Sequence, residues 1–170
     1  MEKTRIVFVT VLALLLVVLV KSSVSASGDK NTLKGLKGVN VLIEDMTNDA
    51  IKAGLTVKQI QTDVEVKLRI AGIRVLTKEE SIKTLGRPYL YVNLNIRKTS
   101  NTSLYHANLE IQLIQNVLLE RDQSMSCSAA TWSISGVASG GKDKIQTVRD
   151  FIKDNMDEFI NDYLAVNPKK

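Results

Sequence analysis

Polar and apolar residues alternate through the middle of this chain and recur at helical spacing on either side of it. In GVNVLIED (38–45), Val39, Val41 and Ile43 fall on one side, the period-two pattern of a half-buried strand. MTNDAIKAG follows as a loop or a single short helical turn. From Thr56 the period changes: Ile60, Val64, Leu68 and Ala71 form one helical stripe. Thr56 and Gln59 have the spacing of a capping box, in which the threonine oxygen accepts from the third amide and the glutamine reaches back. Leu55 and Ile60 are placed as a hydrophobic staple around that cap, and Gly72 as a left-handed stop. Asp63 and Lys67, like Glu65 and Arg69, are acid-first pairs four residues apart and read as a solvated helix face. IRVL (73–76) then reads as a short buried strand, so 38–76 is expected to be strand, helix, strand, with the two strands parallel.

TKEESIKTLGR (77–87) predicts a short helix capped by Thr77 and stopped near Gly86. Pro88 suits the first position of a strand. In the strand that follows, Leu90, Val92, Leu94 and Ile96 face one way, and Tyr89, Tyr91, Asn93 and Asn95 the other. TSNTS (99–103) is a polar turn, after which Tyr105, Ala107, Leu109, Ile111, Leu113, Val117 and Leu119 share a face opposite His106, Asn108, Glu110, Gln112 and Asn116. RDQS turns the chain into a third strand with Ala130, Trp132 and Ile134 on one side, which completes an antiparallel meander with one wet face. The last stripe, Ile145, Val148, Ile152, Met156, Phe159 and Tyr163, is widened by Phe151, Ile160 and Leu164 and ends before Pro168. The expected fold is α+β: a two-layer sandwich whose mixed sheet, the strand–helix–strand unit plus the three-stranded meander, carries helices 56–71 and 143–165 on one face.

The amino terminus adds a compartment. Lys3 and Arg5 precede an apolar run, Ile6 to Val20, broken only by Thr10. Those 15 residues span roughly 22 Å as a helix, short of the ~30 Å of a bilayer core and the length of a signal-peptide core. Val24 and Ala26 fit the small-residue positions before a cleavage site, so residues 1–26 are expected to be a signal peptide, 27–37 a flexible lead-in, and 38–168 a single domain. Retention of the segment as an anchor is the alternative. No cysteine adjoins the site to carry a lipid. Removal of residues 1–26 takes away three basic residues and one acidic one, and the net charge falls from +5 to +3. Such mild basicity in an exported chain argues against nucleic acid as a partner, and no stable membrane span is expected once the segment is gone.

Chemistry is sparse. Cys127 is the single cysteine, so no intrachain disulfide forms; lying among small residues, it is expected to be a buried, inert thiol. One histidine, His106, and one cysteine cannot furnish an ordinary zinc site, and the carboxylates lack calcium-loop spacing. GVASGGKD (136–143) matches a phosphate-loop pattern up to its lysine, but Asp143 stands where a hydroxyl should hold magnesium, and only 27 residues follow. A plain turn into a helix, with Asp143 near the helix's positive end, is the better reading. No cofactor or metal is expected. The adjacent acids Glu44–Asp45 and Glu79–Glu80 read as solvated. Asn101-Thr102-Ser103 is a glycosylation sequon that matters only in a eukaryotic host.

GLT…I…VEVKLRIAGIRVL…PYLYVNLNI, ending in FINDYLAVNP, resembles a family of uncharacterised small exported bacterial proteins, over most of residues 38–168. At fold level it is also similar to the amino-terminal domain of the Tol-system translocation protein and to the curli-secretion lipoprotein domain. The resemblance implies no catalytic residue. The expected function is that of a non-enzymatic periplasmic or secreted domain that binds an envelope protein. Its candidate docking surface is the polar sheet face: Tyr89, Tyr91, Asn93, Asn95, His106, Asn108, Glu110 and Gln112. Two alternatives stay open: a small-ligand carrier with a pocket between helix 143–165 and the sheet near Trp132, and a hydrolase using His106 or Cys127. The pattern specifies no oligomeric state.

Overall fold

A computed structural model describes residues 25–141 and 145–168. The fold is α+β. Five strands, β1 (Ser25–Gly28), β2 (Asn40–Ile43), β3 (Tyr89–Lys98), β4 (Leu104–Leu119) and β5 (Asp122–Gly141), form one sheet in the order β1-β5-β4-β3-β2. β3, β4 and β5 make the antiparallel meander, and β1 adds to the free side of β5. β2 runs parallel to β3, with Asn40 opposite Tyr89 and Ile43 opposite Val92. Parallel neighbours need a crossover. Here it consists of α1 (Asn48–Lys52), α2 (Val57–Ile70) and α3 (Lys78–Lys83).

The expected parallel strand at 73–76 shrinks to a single bridge between Val39 and Val75. Thr77 opens α3 at once with a full capping box to Glu80, so the chain leaves the strand direction after one rung. The parallel partner of β2 is therefore β3.

α2 begins with the predicted capping box: the Thr56 hydroxyl accepts from the Gln59 backbone amide at 3.2 Å, and the Gln59 side-chain Oε1 accepts from the Thr56 backbone amide at 3.1 Å. Its stripe, Ile60, Val64 and Leu68, is buried. α4 (Ile145–Val166) buries Phe151, Ile152, Met156, Phe159 and Ile160. Both helices lie on the face lined by Leu90, Val92, Leu94, Ile96, Leu109, Ile111, Leu113, Trp132 and Ile134, and together these residues form the core.

Two ion pairs cross between the helices. Asp63 accepts two hydrogen bonds from Arg149, at 2.7 and 2.8 Å, and Lys67 reaches Asp157 at 2.7 Å. The expected Asp63–Lys67 pairing along α2 is replaced by these bridges, because α4 lies alongside and offers opposite charges across the seam. Glu65 and Arg69 do pair along the helix, at 2.7 Å.

The segment expected as a flexible lead-in is tied down. A 3-10 turn at Lys30–Leu33 buries Leu33 completely. Asn167, at the end of α4, donates to the Leu33 carbonyl at 2.9 Å and accepts from the Gly35 amide at 2.7 Å. The expected cleavage point after Ala26 falls within β1; the remainder of the expected signal segment lies outside the described residues.

The glycine-rich stretch resembling a phosphate loop is not a loop. Gly136 to Gly141 continue β5 and pair with β4 as far as Leu104. Gly136 is needed for packing: a Cβ there would lie 2.9 Å from the Phe151 ring. The Lys142 and Asp143 positions of that motif lie outside the described residues.

Candidate functional site: the open face of the sheet

The helices cover one face of the sheet, and side-chain alternation sends every second residue of β2 to β5 to the other. Cross-strand register assembles these residues into rows. Leu42, Tyr91, Gln112 and Ser133 form one; Asn93, Glu110 and Ser135 the next; then Asn95, Asn108 and Val137; then Arg97, His106 and Ser139. Tyr89 begins the series beside Asn40 and Ile114. All eight predicted face residues, Tyr89, Tyr91, Asn93, Asn95, His106, Asn108, Glu110 and Gln112, thus share one surface.

Hydrogen bonds fix the side chains, two of them by tying one row to the next along a strand. The Tyr91 hydroxyl donates to Glu44 at 2.7 Å, Gln112 donates to Glu110 at 2.8 Å, and Asn95 donates to Asn93 at 2.9 Å. The Glu44 carboxylate accepting its proton pushes the Tyr91 phenol up to about 12, helped by partial burial and by the negative charge itself. The phenol is a fixed donor at any physiological pH. Glu44, expected to be merely solvated, is the anchor of this tyrosine.

His106 lies between two hydroxyls, Ser139 Oγ at 2.8 Å from Nδ1 and Thr99 Oγ1 at 3.1 Å from Nε2. A nucleophilic serine paired with histidine uses a carboxylate on the second ring nitrogen to orient and stabilise the imidazolium; here that nitrogen meets another hydroxyl. A shallow depression of about 610 Å³, lined by Asn95, Arg97, His106, Asn108, Val137 and Ser139, surrounds this group.

Cys127 is exposed rather than buried. It faces Val117 on the far part of the β4–β5 hairpin, eleven residues along β4 from His106, or roughly 35 Å of strand. A Cys127–His106 pair is excluded by that separation. The exposure follows from a bulge: the register slips between Leu113 and Ile114, leaving Thr131 without a Cα partner, and the hairpin beyond leaves the helical layer. For the same reason Ala130, expected on the buried side with Trp132, is exposed.

The space beside Trp132 is filled. Its ring meets Phe159 edge-on with centroids 5.1 Å apart, and its indole N–H donates to Asp162 at 2.9 Å. A ligand pocket between α4 and the sheet at this tryptophan is therefore occupied by side chains. Among the described residues no three His, Cys, Asp or Glu side chains are grouped to hold a metal ion, and no helix is long and apolar enough to cross a membrane.

Sequence reasoning missed six members of the open face: Arg97, the serines Ser133, Ser135 and Ser139, and the apolar Leu42 and Val137, which are 48% and 57% exposed. Strict alternation from Val41 and Ile134 would have found the two apolar ones, which put hydrophobic contact area among the amides.

No family model matches the chain, and no curated protein does. Among solved structures, it is similar to the PelC dodecamer from Paraburkholderia phytofirmans. A leucine-to-methionine variant of that protein aligns with TM-score 0.48 at 16% identity, covering 84% of this chain and 97% of the other. A second PelC dodecamer structure from the same organism aligns with TM-score 0.44 at 14% identity, covering 84% and 96%.

Proposed function

We propose that this chain is an exported, non-enzymatic envelope domain that binds a protein partner on the open face of its sheet. One observation carries the reading: four consecutive cross-strand rows of mostly polar side chains, amides, hydroxyls and a tyrosine among them, lie on a face that neither long helix covers. Tyrosine offers contact area at small entropic cost, and amides offer donors and acceptors together. The exposed Leu42 and Val137 give such a surface apolar points to bury. The apolar run Ile6–Val20 behind Lys3 and Arg5 supports export, to the periplasm or beyond.

The non-enzymatic part rests on the residues that catalysis would need. His106 has hydroxyls on both sides, and Cys127 stands far from it. The test is partner capture in the native host with the double substitution Asn93→Arg, Asn108→Arg. Loss of the partner with an unchanged thermal melt supports the reading. Retention of the partner places its docking site elsewhere.

A further inference from the structure

At one end of the sheet, beyond the Tyr89 row, lies a second surface built differently. The segment after the 3-10 turn forms one wall with Lys34, Leu36 and Lys37, and the turn from α3 into β3 forms the other with Leu85 and Arg87. The β4–β5 hairpin closes the side with Gln115, Asn116 and Leu118, leaving an open cleft of about 680 Å³.

Three cations line this one cleft. Lys67, Arg69, Arg74 and Arg149 each pair with a carboxylate. Lys34, Lys37 and Arg87 are all exposed, none of them makes an ion pair among the described residues, and no acidic residue lines the cleft. Three cations from two separate segments thus line one space with no counter-charge among the described residues.

Apolar groups stand beside them. Leu85 is 99% exposed and Leu118 62%. Arg87 sits in the left-handed region at φ 45, where a residue with a Cβ is held at a conformational cost.

We propose that this cleft docks an acidic, leucine-bearing segment of a partner polypeptide, with carboxylates on Lys34, Lys37 and Arg87 and apolar side chains against Leu85 and Leu118. The cations line a concavity, which suits an inserted chain better than a flat layer of headgroups. Complementary charge would steer the encounter and set the register, while the leucines supply buried area. The site is separate from the open sheet face and does not depend on it.

The test is fluorescence anisotropy with the purified protein and a short fluorescein-labelled peptide of alternating glutamate and leucine, with a lysine–leucine peptide as control. Saturable binding of the acidic peptide alone, weakening with salt, is expected. Lys37→Glu with Arg87→Glu should weaken it at least about tenfold. Leu85→Ser, at a fully exposed position that leaves folding intact, should weaken it while preserving its salt dependence. No binding, or binding unchanged in these variants, overturns the proposal. So does either substitute occupant: charge-reversal-sensitive pelleting with phosphatidylglycerol vesicles in place of peptide binding, or self-association in sedimentation that the charge reversal abolishes.

Discussion

Arg149 on α4 donates two parallel hydrogen bonds to the Asp63 carboxylate on α2, which joins the two helices across their shared seam. These bonds hold the Asp63 carboxyl below its ordinary range, against the burial that pushes it up. A depressed folded-state value means that the carboxylate stabilises the fold above the unfolded value and ceases to do so as pH falls through the folded one. Asp63→Asn should lower the denaturant midpoint at pH 7. The gap to the unsubstituted protein should begin to close near pH ~4, the ordinary aspartate value, and vanish below the depressed one. A gap that persists in strong acid would mean that the pair contributes through packing rather than charge.

Leu68 and Ile70 lie two residues apart on α2, with Leu68 fully buried and Ile70 80% exposed. Leu68→Ala should cost ~2–5 kcal/mol, as buried leucine truncations do. Ile70→Ala should stay within ~0.5 kcal/mol, as ordinary surface changes do. Urea melts of both variants check the assignment of the helix faces.

Trp132 is the single tryptophan, packed edge-on against Phe159. Its native emission should therefore be blue-shifted and should report global unfolding. Phe159→Ala should cost ~3–5 kcal/mol and shift that emission to the red before any denaturant is added.

Arg87 is strained at φ 45 and its side chain is exposed. Arg87→Gly removes the steric cost of the left-handed conformation, ~1–2 kcal/mol, and adds part of that back as unfolded-state entropy. A net gain of up to about 1 kcal/mol is expected, read as a raised melting temperature. On the account of the basic cleft, the same variant binds the acidic peptide less well, so stability and binding move in opposite directions.

Much of this fold was legible because the pattern is strict where one face is buried. Thr56 and Gln59 made their capping box, Thr77 opened α3, and the alternation from Tyr89 to Gln112 put eight named residues on one surface. The failures share a cause: they depend on neighbours distant in sequence. Asp63 chose Arg149 over Lys67 because α4 lies against α2. Residues 73–76 gave one bridge because α3 begins at once. Cys127 and Ala130 became exposed because a bulge at Thr131 carries the hairpin away from the helices. Gly136 to Gly141, read as a plain turn into the last helix, continue β5, and Gly136 makes room for Phe151. The basic cleft was invisible for the same reason, since Lys37 and Arg87 are fifty residues apart in sequence.

The central claim is that the open sheet face meets a protein partner. The most direct measurement is site-specific photo-crosslinking in the native host, with the crosslinking residue at Asn95 on that face and, as control, at Ile70 on the outer surface of α2. A single discrete protein adduct from Asn95, absent from Ile70 and lost when Tyr91→Ala is added, is the predicted result. Adducts from Ile70 alone, or the same adducts from both positions, would contradict the account.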